Sequence, residues 1–114
     1  KVDNIIATID LNGQQIDGST DDVLNLGSIK EKFSAFGWDI LECEEGNNIA
    51  QISETLNTAK NRCFKGKPIC ILLKTIMGNG VDFMMHTHEW HGKAPNDDQL
   101  EIALNQNPET LGDY

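Results

Sequence analysis

The 114 residues carry eighteen acidic against nine basic side chains, a net charge of −9, with the lysines and arginines scattered rather than clustered. Such a field repels a phosphate backbone and argues against nucleic acid as a partner, whereas small phosphorylated metabolites stay open because a metal ion or a few local donors can dominate a small site. The 39% apolar and 24% charged content is usual for soluble proteins, no run approaches the ~20 apolar residues of a membrane helix, and a chain of this length can bury a core of its own.

In chain order, Ile5–Ile9 is short, apolar and β-branched and runs into the turn-formers Asp10-Leu11-Asn12-Gly13, which predicts a buried strand followed by a loop. Ser28 with Glu31 three positions on has the pattern of a capping box, and Ile29, Phe33 and Phe36 recur at helical spacing until Gly37. Trp38–Cys43 reads as a second strand. From Asn48, the positions Ile49, Ile52, Leu56 and Ala59 describe an amphipathic helix that ends among Lys60, Arg62 and Lys65, cations suited to the negative end of its dipole. After Gly66 and Pro68, the continuous apolar run Ile69–Leu73 is of the kind covered on both faces in a parallel sheet. Two helices between three strands make two βαβ units, which predicts an α/β fold, a three-layer parallel sheet flanked by helices. Right-handed crossovers then place the strands' C-terminal ends on one edge, where Asn12 meets the segment after Lys74. Residues 75–95 show no regular pattern, and so long a stretch is uncommon unless it is a functional loop or is disordered. Asn96-Asp97-Asp98-Gln99 caps a last helix through Leu100, Ala103 and Leu104, stopped before Pro108.

Cys43, Cys63 and Cys70 are odd in number and lack C-x-x-C spacing, so neither a disulfide framework nor a zinc ribbon is indicated, and a cytoplasmic location is expected. Lys1-Val2-Asp3-Asn4 shows no signal-peptide pattern, and the absence of an initiating Met fits a fragment or processed product. Phe33, Phe36 and Trp38 are expected in the core, and Trp90 either anchors its loop or lines a cleft. His86, His88 and His91 could converge on zinc, but His86 and His88 read more simply as solvated loop residues. Lys74 ends a buried strand and is expected to reach solvent, and Glu42, Glu44 and Glu45 read as a solvated strand end. The stretch Asp10–Gly18 follows the first strand; Asn12 and a nearby carbonyl could hold Mg²⁺ or Ca²⁺, although Asn-Gly and Asp-Gly pairs there are more often plain turns.

Val2-Asp3-Asn4-Ile5-Ile6 with Asp10-Leu11-Asn12-Gly13-Gln14-Gln15-Ile16-Asp17-Gly18 resembles the end of the thiamine-diphosphate motif of the transketolase family. Lys74-Thr75-Ile76-Met77-Gly78-Asn79-Gly80 and Trp90-His91-Gly92-Lys93-Ala94-Pro95 resemble two later segments of that family, in the same order. The resemblance runs from the start of the chain to about Gln99 and is closest to transketolases whose N-terminal half is a separate subunit. It implies that residues 1–114 are part of a thiamine-diphosphate-binding domain, with an active-site loop at 75–95. It implies that the Asn12 side chain and the Gln14 carbonyl ligate a Mg²⁺ or Ca²⁺ ion on the cofactor diphosphate, and that Ile16 packs near the thiazolium ring. His91 is implied to lie close to cofactor and sugar substrate, donating hydrogen bonds or shuttling a proton. The implied activity, with the carbanion chemistry supplied by the cofactor, is transfer of a two-carbon ketol unit from a ketose phosphate to an aldose phosphate.

The family's upstream Gly-Asp-Gly, whose Asp is a further metal ligand, is absent here, as is the pyrimidine-binding domain with its activating glutamate. The isolated chain is therefore expected to be inactive, its sheet edge waiting for upstream and pyrimidine-domain segments or a second subunit, with a homodimer or heterotetramer as the complete assembly. The alternatives are a 1-deoxyxylulose-5-phosphate synthase, a 2-oxoacid dehydrogenase component, a non-catalytic flavodoxin-like interaction module, or a histidine-rich metal-binding domain.

Overall fold

The computed structural model describes residues 2–108; Lys1 and residues 109–114, the two ends of the expected 1–114 unit, lie outside the described residues. Strand β1 (Ile6–Leu11) leads into a small hairpin, β2 (Gln14–Gln15) and β3 (Gly18–Ser19), and then the short helix α1 (Thr20–Leu24). Next come α2 (Ile29–Ala35), β4 (Asp39–Cys43), α3 (Ile49–Arg62), β5 (Ile69–Lys74), one turn of 3-10 helix (His88–Trp90) and α4 (Asp97–Gln106).

The last of the long strands, β5, lies between β1 and β4 and pairs parallel with both. Its run Ile69-Cys70-Ile71-Leu72 is buried throughout, as expected of a strand covered on both faces. Register sets the faces. Ile6 pairs with Ile69, and Leu41 with Ile71, and these side chains gather with Cys43 under Ile52, Leu56 and Ala59 of α3 to form the core. The alternate residues Ile9, Leu11 and Leu72 turn to the opposite face, where Ile29 and Lys30 of α2 lie. The ion pairs follow the same division: Arg62 of α3 meets Asp39 at 3.3 Å, and Lys30 of α2 meets Glu42. With one helix on each face, the chain forms the expected three layers.

Helix starts follow the side-chain chemistry of their caps. Ser28 accepts the Glu31 N–H at 3.1 Å, and Asn48 accepts the N–H groups of Ala50 and Gln51 at 3.0 and 3.3 Å. A reciprocal capping box is complete at α4, where Asn96 and Gln99 exchange bonds of 2.9 and 3.0 Å.

Several expectations need correction. β1 continues through Asp10 and Leu11 before turning, because pairing with Leu73 and Lys74 of β5 carries it past its apolar residues. Phe36 is 85% exposed instead of core: it caps the C-terminus of α2 and projects beyond the last helical turn, while Phe33 and Trp38 pack edge to face at 5.5 Å. Ile49, the first residue of α3, is 78% exposed although it fits the apolar spacing, while Ile52, Leu56 and Ala59 further along the helix join the core. The hairpin and α1 between Gln14 and Leu24 have no apolar periodicity to announce them.

Replacing Ile71, 1% exposed in the middle strand, by Ala removes atoms packed against the α3 core, and is expected to cost about 2–5 kcal/mol in urea unfolding. Phe36→Ala is expected to change stability by less than about 0.5 kcal/mol in the same assay.

Candidate active site

β1 ends on the turn that carries the first predicted ligands. Asn12 Oδ1 accepts the Gln14 N–H at 2.8 Å, an Asx turn that holds the Asn12 amide beside the Gln14 backbone. Gly13, at φ +71°, supplies the left-handed residue the turn requires, and its carbonyl accepts the Thr20 N–H at 2.9 Å, closing the hairpin's base. Asn12, Gly13 and Gln14 together line a cleft of about 460 Å³ with Ile9, Leu11 and Leu72 at its base. Ser28, Ile29 and Lys30 form the other wall, and the Lys30–Glu42 ion pair lies within it. The Lys30 hydrogen bond holds the Glu42 carboxyl below the usual carboxylate range.

The C-terminal ends of β1 and β5 meet as expected, through a hydrogen bond from the Thr75 hydroxyl to Asp10. A second cleft of about 530 Å³ opens at the ends of β4 and β5, lined by Glu44, Asn47, Lys74, Thr75 and Asn79 among others. Lys74 does reach solvent, but it pairs with Glu44 at 2.6 Å, a hydrogen bond that holds its ammonium above the usual range. The acidic strand end is thus paired at Glu42 and Glu44 rather than merely solvated. Gly46 is required here: its N–H donates to the Lys74 carbonyl at 2.7 Å, and a Cβ at this position would stand 2.7 Å from that oxygen.

Ile16 occupies the tip of the β2–β3 hairpin and is 65% exposed, outside both clefts. His91 is also exposed, follows the 3-10 turn, and donates its N–H to the His88 carbonyl at 3.0 Å. Asn12 and Gln14 thus line one cleft, and neither Ile16 nor His91 is among its lining residues. Within the loop, Trp90 serves as an anchor: its ring meets Phe83 edge to face at 5.1 Å, its indole N–H donates to the Phe83 carbonyl at 2.9 Å, and the Lys93 ammonium lies 4.7 Å from its centroid. His86 is exposed as expected, whereas His88 is half-buried. Among the described residues no three His, Cys, Asp or Glu side chains gather to hold a metal, so the three histidines do not form a cluster.

These features define an open parallel α/β domain with two clefts at the C-terminal edge of its sheet, the edge at which such folds bind ligands. The transketolase thiamine diphosphate-binding domain model matches residues 1–109, and the chain belongs to that family. It is 36% identical over 106 residues to an apulose-4-phosphate transketolase subunit of Actinobacillus succinogenes, covering 93% of this chain and 37% of that one. The Phocaeicola vulgatus protein of the same description is 34% identical, with 97% and 38% covered. The chain thus spans little more than a third of the length of these relatives. A crystal structure of a Pichia stipitis transketolase variant superposes with a TM-score of 0.66 at 30% identity, over 75% of this chain and 12% of that one.

The donor set suits a hard divalent ion in part. Asn12 Oδ1 retains a lone pair after accepting the Gln14 N–H, and a neutral amide oxygen beside a backbone carbonyl matches the oxygen preference of Mg²⁺ or Ca²⁺, but two donors are fewer than the six or so such ions take. Sequence reasoning overlooked Asp10 as a strut to Thr75, and Lys30 with Glu42 as a cleft wall. The only local hint was Asp10's place at a strand end, since Glu42 lies twelve residues from Lys30 and nothing in the spacing links them.

Because the folded Glu42 pKa is depressed, the Lys30–Glu42 pair contributes above the ordinary glutamate value and is lost as pH falls through the lowered one. Lys30→Ala is expected to return Glu42 toward its ordinary value of 4.5, read from the side-chain carboxyl carbon in an NMR pH titration.

Proposed function

We propose that this chain is part of a transketolase that moves a two-carbon ketol unit from a ketose phosphate to an aldose phosphate. The observation that carries the reading is the family match across residues 1–109, joined to the Asn12–Gln14 turn at the C-terminal end of β1. Thiamine diphosphate, when bound, supplies the carbanion chemistry that breaks and remakes the carbon–carbon bond. Asn12, through its side-chain oxygen, and Gln14, through its carbonyl, hold a Mg²⁺ or Ca²⁺ ion whose charge offsets the diphosphate. Ile16, standing free at its hairpin tip, offers an apolar wall to the thiazolium ring. His91, exposed on its anchored loop, donates a hydrogen bond to substrate or carries a proton.

Relatives named as transketolase subunits favour ketol transfer over the reactions of 1-deoxyxylulose-5-phosphate synthase or 2-oxoacid dehydrogenase components. A completing polypeptide is part of the proposal, because those relatives are named as single subunits of a larger enzyme and the described residues are poorly enclosed. Their radius of gyration is 17.2 Å, against about 13 Å for a compact domain of ~100 residues, and Phe36 and Phe64 stand in solvent. The complete enzyme would assemble as a homodimer or heterotetramer, and the three free cysteines suit a reducing cytoplasm.

Calorimetric titration of thiamine diphosphate with Mg²⁺ into the full-length protein, together with its completing subunit, tests the reading. Binding is expected, weakened at least about tenfold in Asn12→Ala, since even indirect supports of a metal site carry ~10–100-fold effects. A folded assembly that takes up no cofactor overturns the proposal.

A further inference from the structure

We infer that Gln106 and Asn107, at the C-terminal end of α4, are positioning residues that clamp the loop bearing His91. The loop is tied down at Gly80–Asp82. Asn107 donates from Nδ2 to the Gly80 carbonyl at 3.3 Å, Val81 is buried, and the Asp82 N–H donates to Gln106 Oε1 at 2.9 Å. The approach at Gly80 needs a glycine: its φ is +98°, and a Cβ there would stand 2.7 Å from Asn107 Oδ1. Asn107 also donates to the Ala103 carbonyl at 3.0 Å, so the side chain that grips the loop is itself held by the last turn of its helix.

The clamp reaches His91 through a short series of contacts. Phe83 follows Asp82 directly and receives both the ring edge and the indole N–H of Trp90, whose neighbour in the chain is His91. The Met84 N–H donates to the Val81 carbonyl at 2.9 Å, and Gly78 lies so close to Met84 that a Cβ there would stand 2.5 Å from its carbonyl oxygen. The loop is therefore folded on itself, and its mobility is set by how firmly Gly80–Asp82 is held. Loops without regular hydrogen bonding open locally at low cost, and a catalytic group needs a fixed position, so a clamp supplied by a helix outside the loop offsets that softness.

The inference rests on the proposed role of His91, and the test separates the two. In the full-length protein with its completing subunit, Gln106→Met keeps length and helix preference but removes the acceptor, whereas Gln106→Glu retains it. Gln106→Met is expected to speed hydrogen exchange across residues 80–93 about fivefold to tenfold, with β1 and β5 unchanged. It should also lower kcat for ketol transfer at unchanged thiamine diphosphate affinity, and Gln106→Glu should restore both. Unchanged loop exchange in Gln106→Met overturns the clamp. Faster exchange with unchanged kcat overturns its positioning role, and His91→Ala measured alongside shows where the fault lies. If His91→Ala is inactive, the histidine's role stands and only the clamp fails. If His91→Ala retains full activity, the reading beneath the inference fails with it.

Discussion

The fold hangs on the two-sided parallel pairing of Ile69–Lys74. Four consecutive side chains of this strand are almost wholly removed from water, and its neighbours on either side run in the same direction. A slip of one residue would turn Ile69 and Ile71 away from the α3 core and move the strand's alternate side chains into it, so register is strongly held. That constraint brings Asn12, Glu44 and Thr75 to one edge. The edge is then laced by the Thr75–Asp10 bond, the Gly46–Lys74 backbone bond and a 2.7 Å bond from the Ile76 N–H to Asn47.

The electrostatics of that edge follow from its pairings. A chain of net charge −9 is a poor host for a diphosphate unless charge is managed locally. Glu42 and Glu44, the two carboxylates at the end of β4, are each matched by a lysine, Lys30 or Lys74. The proposed ligands, an amide oxygen and a backbone carbonyl that share a cleft with Glu42, are neutral, so positive charge there would have to come from a bound cation. These ion pairs are solvent-exposed, so they shape the local field more than they stabilise the fold.

The long loop solves a different problem. Residues 75–95 hold only turns and one short 3-10 helix, yet Val81 is buried and Phe83 and Trp90 form a small apolar unit within the segment. Beyond these internal contacts it is tied from outside by the end of α4, whose own start is secured by the Asn96–Gln99 capping box. The helix is thus fixed at one end by its cap and meets the loop at the other.

Local patterns were sufficient to read the three long strands, α2, α3 and α4, because each carries its signal within a few residues: a run of β-branched side chains, a Ser or Asn cap, apolar spacing near 3.6. The buried run Ile69–Leu72 was legible for the same reason. So were Asn12 and Gln14, which the structure holds in one turn, although their assigned role came from the family resemblance and not from their spacing. What the sequence could not supply were relations between distant residues. Whether Phe36 overhangs or packs depends on where the sheet ends; Lys30 finds Glu42 only through register; Trp90 became an anchor only once Phe83 lay against it. Placement of His91 relative to Asn12 is likewise a matter of tertiary geometry, since a histidine in an irregular loop has no periodicity to orient it. The sequence by itself determined the three long strands, α2, α3 and α4 with their caps, and the family, all of which rest on short-range preferences. The tertiary structure alone decided the faces, the paired carboxylates and the clamped loop, because those depend on contacts between segments 12 to 63 residues apart.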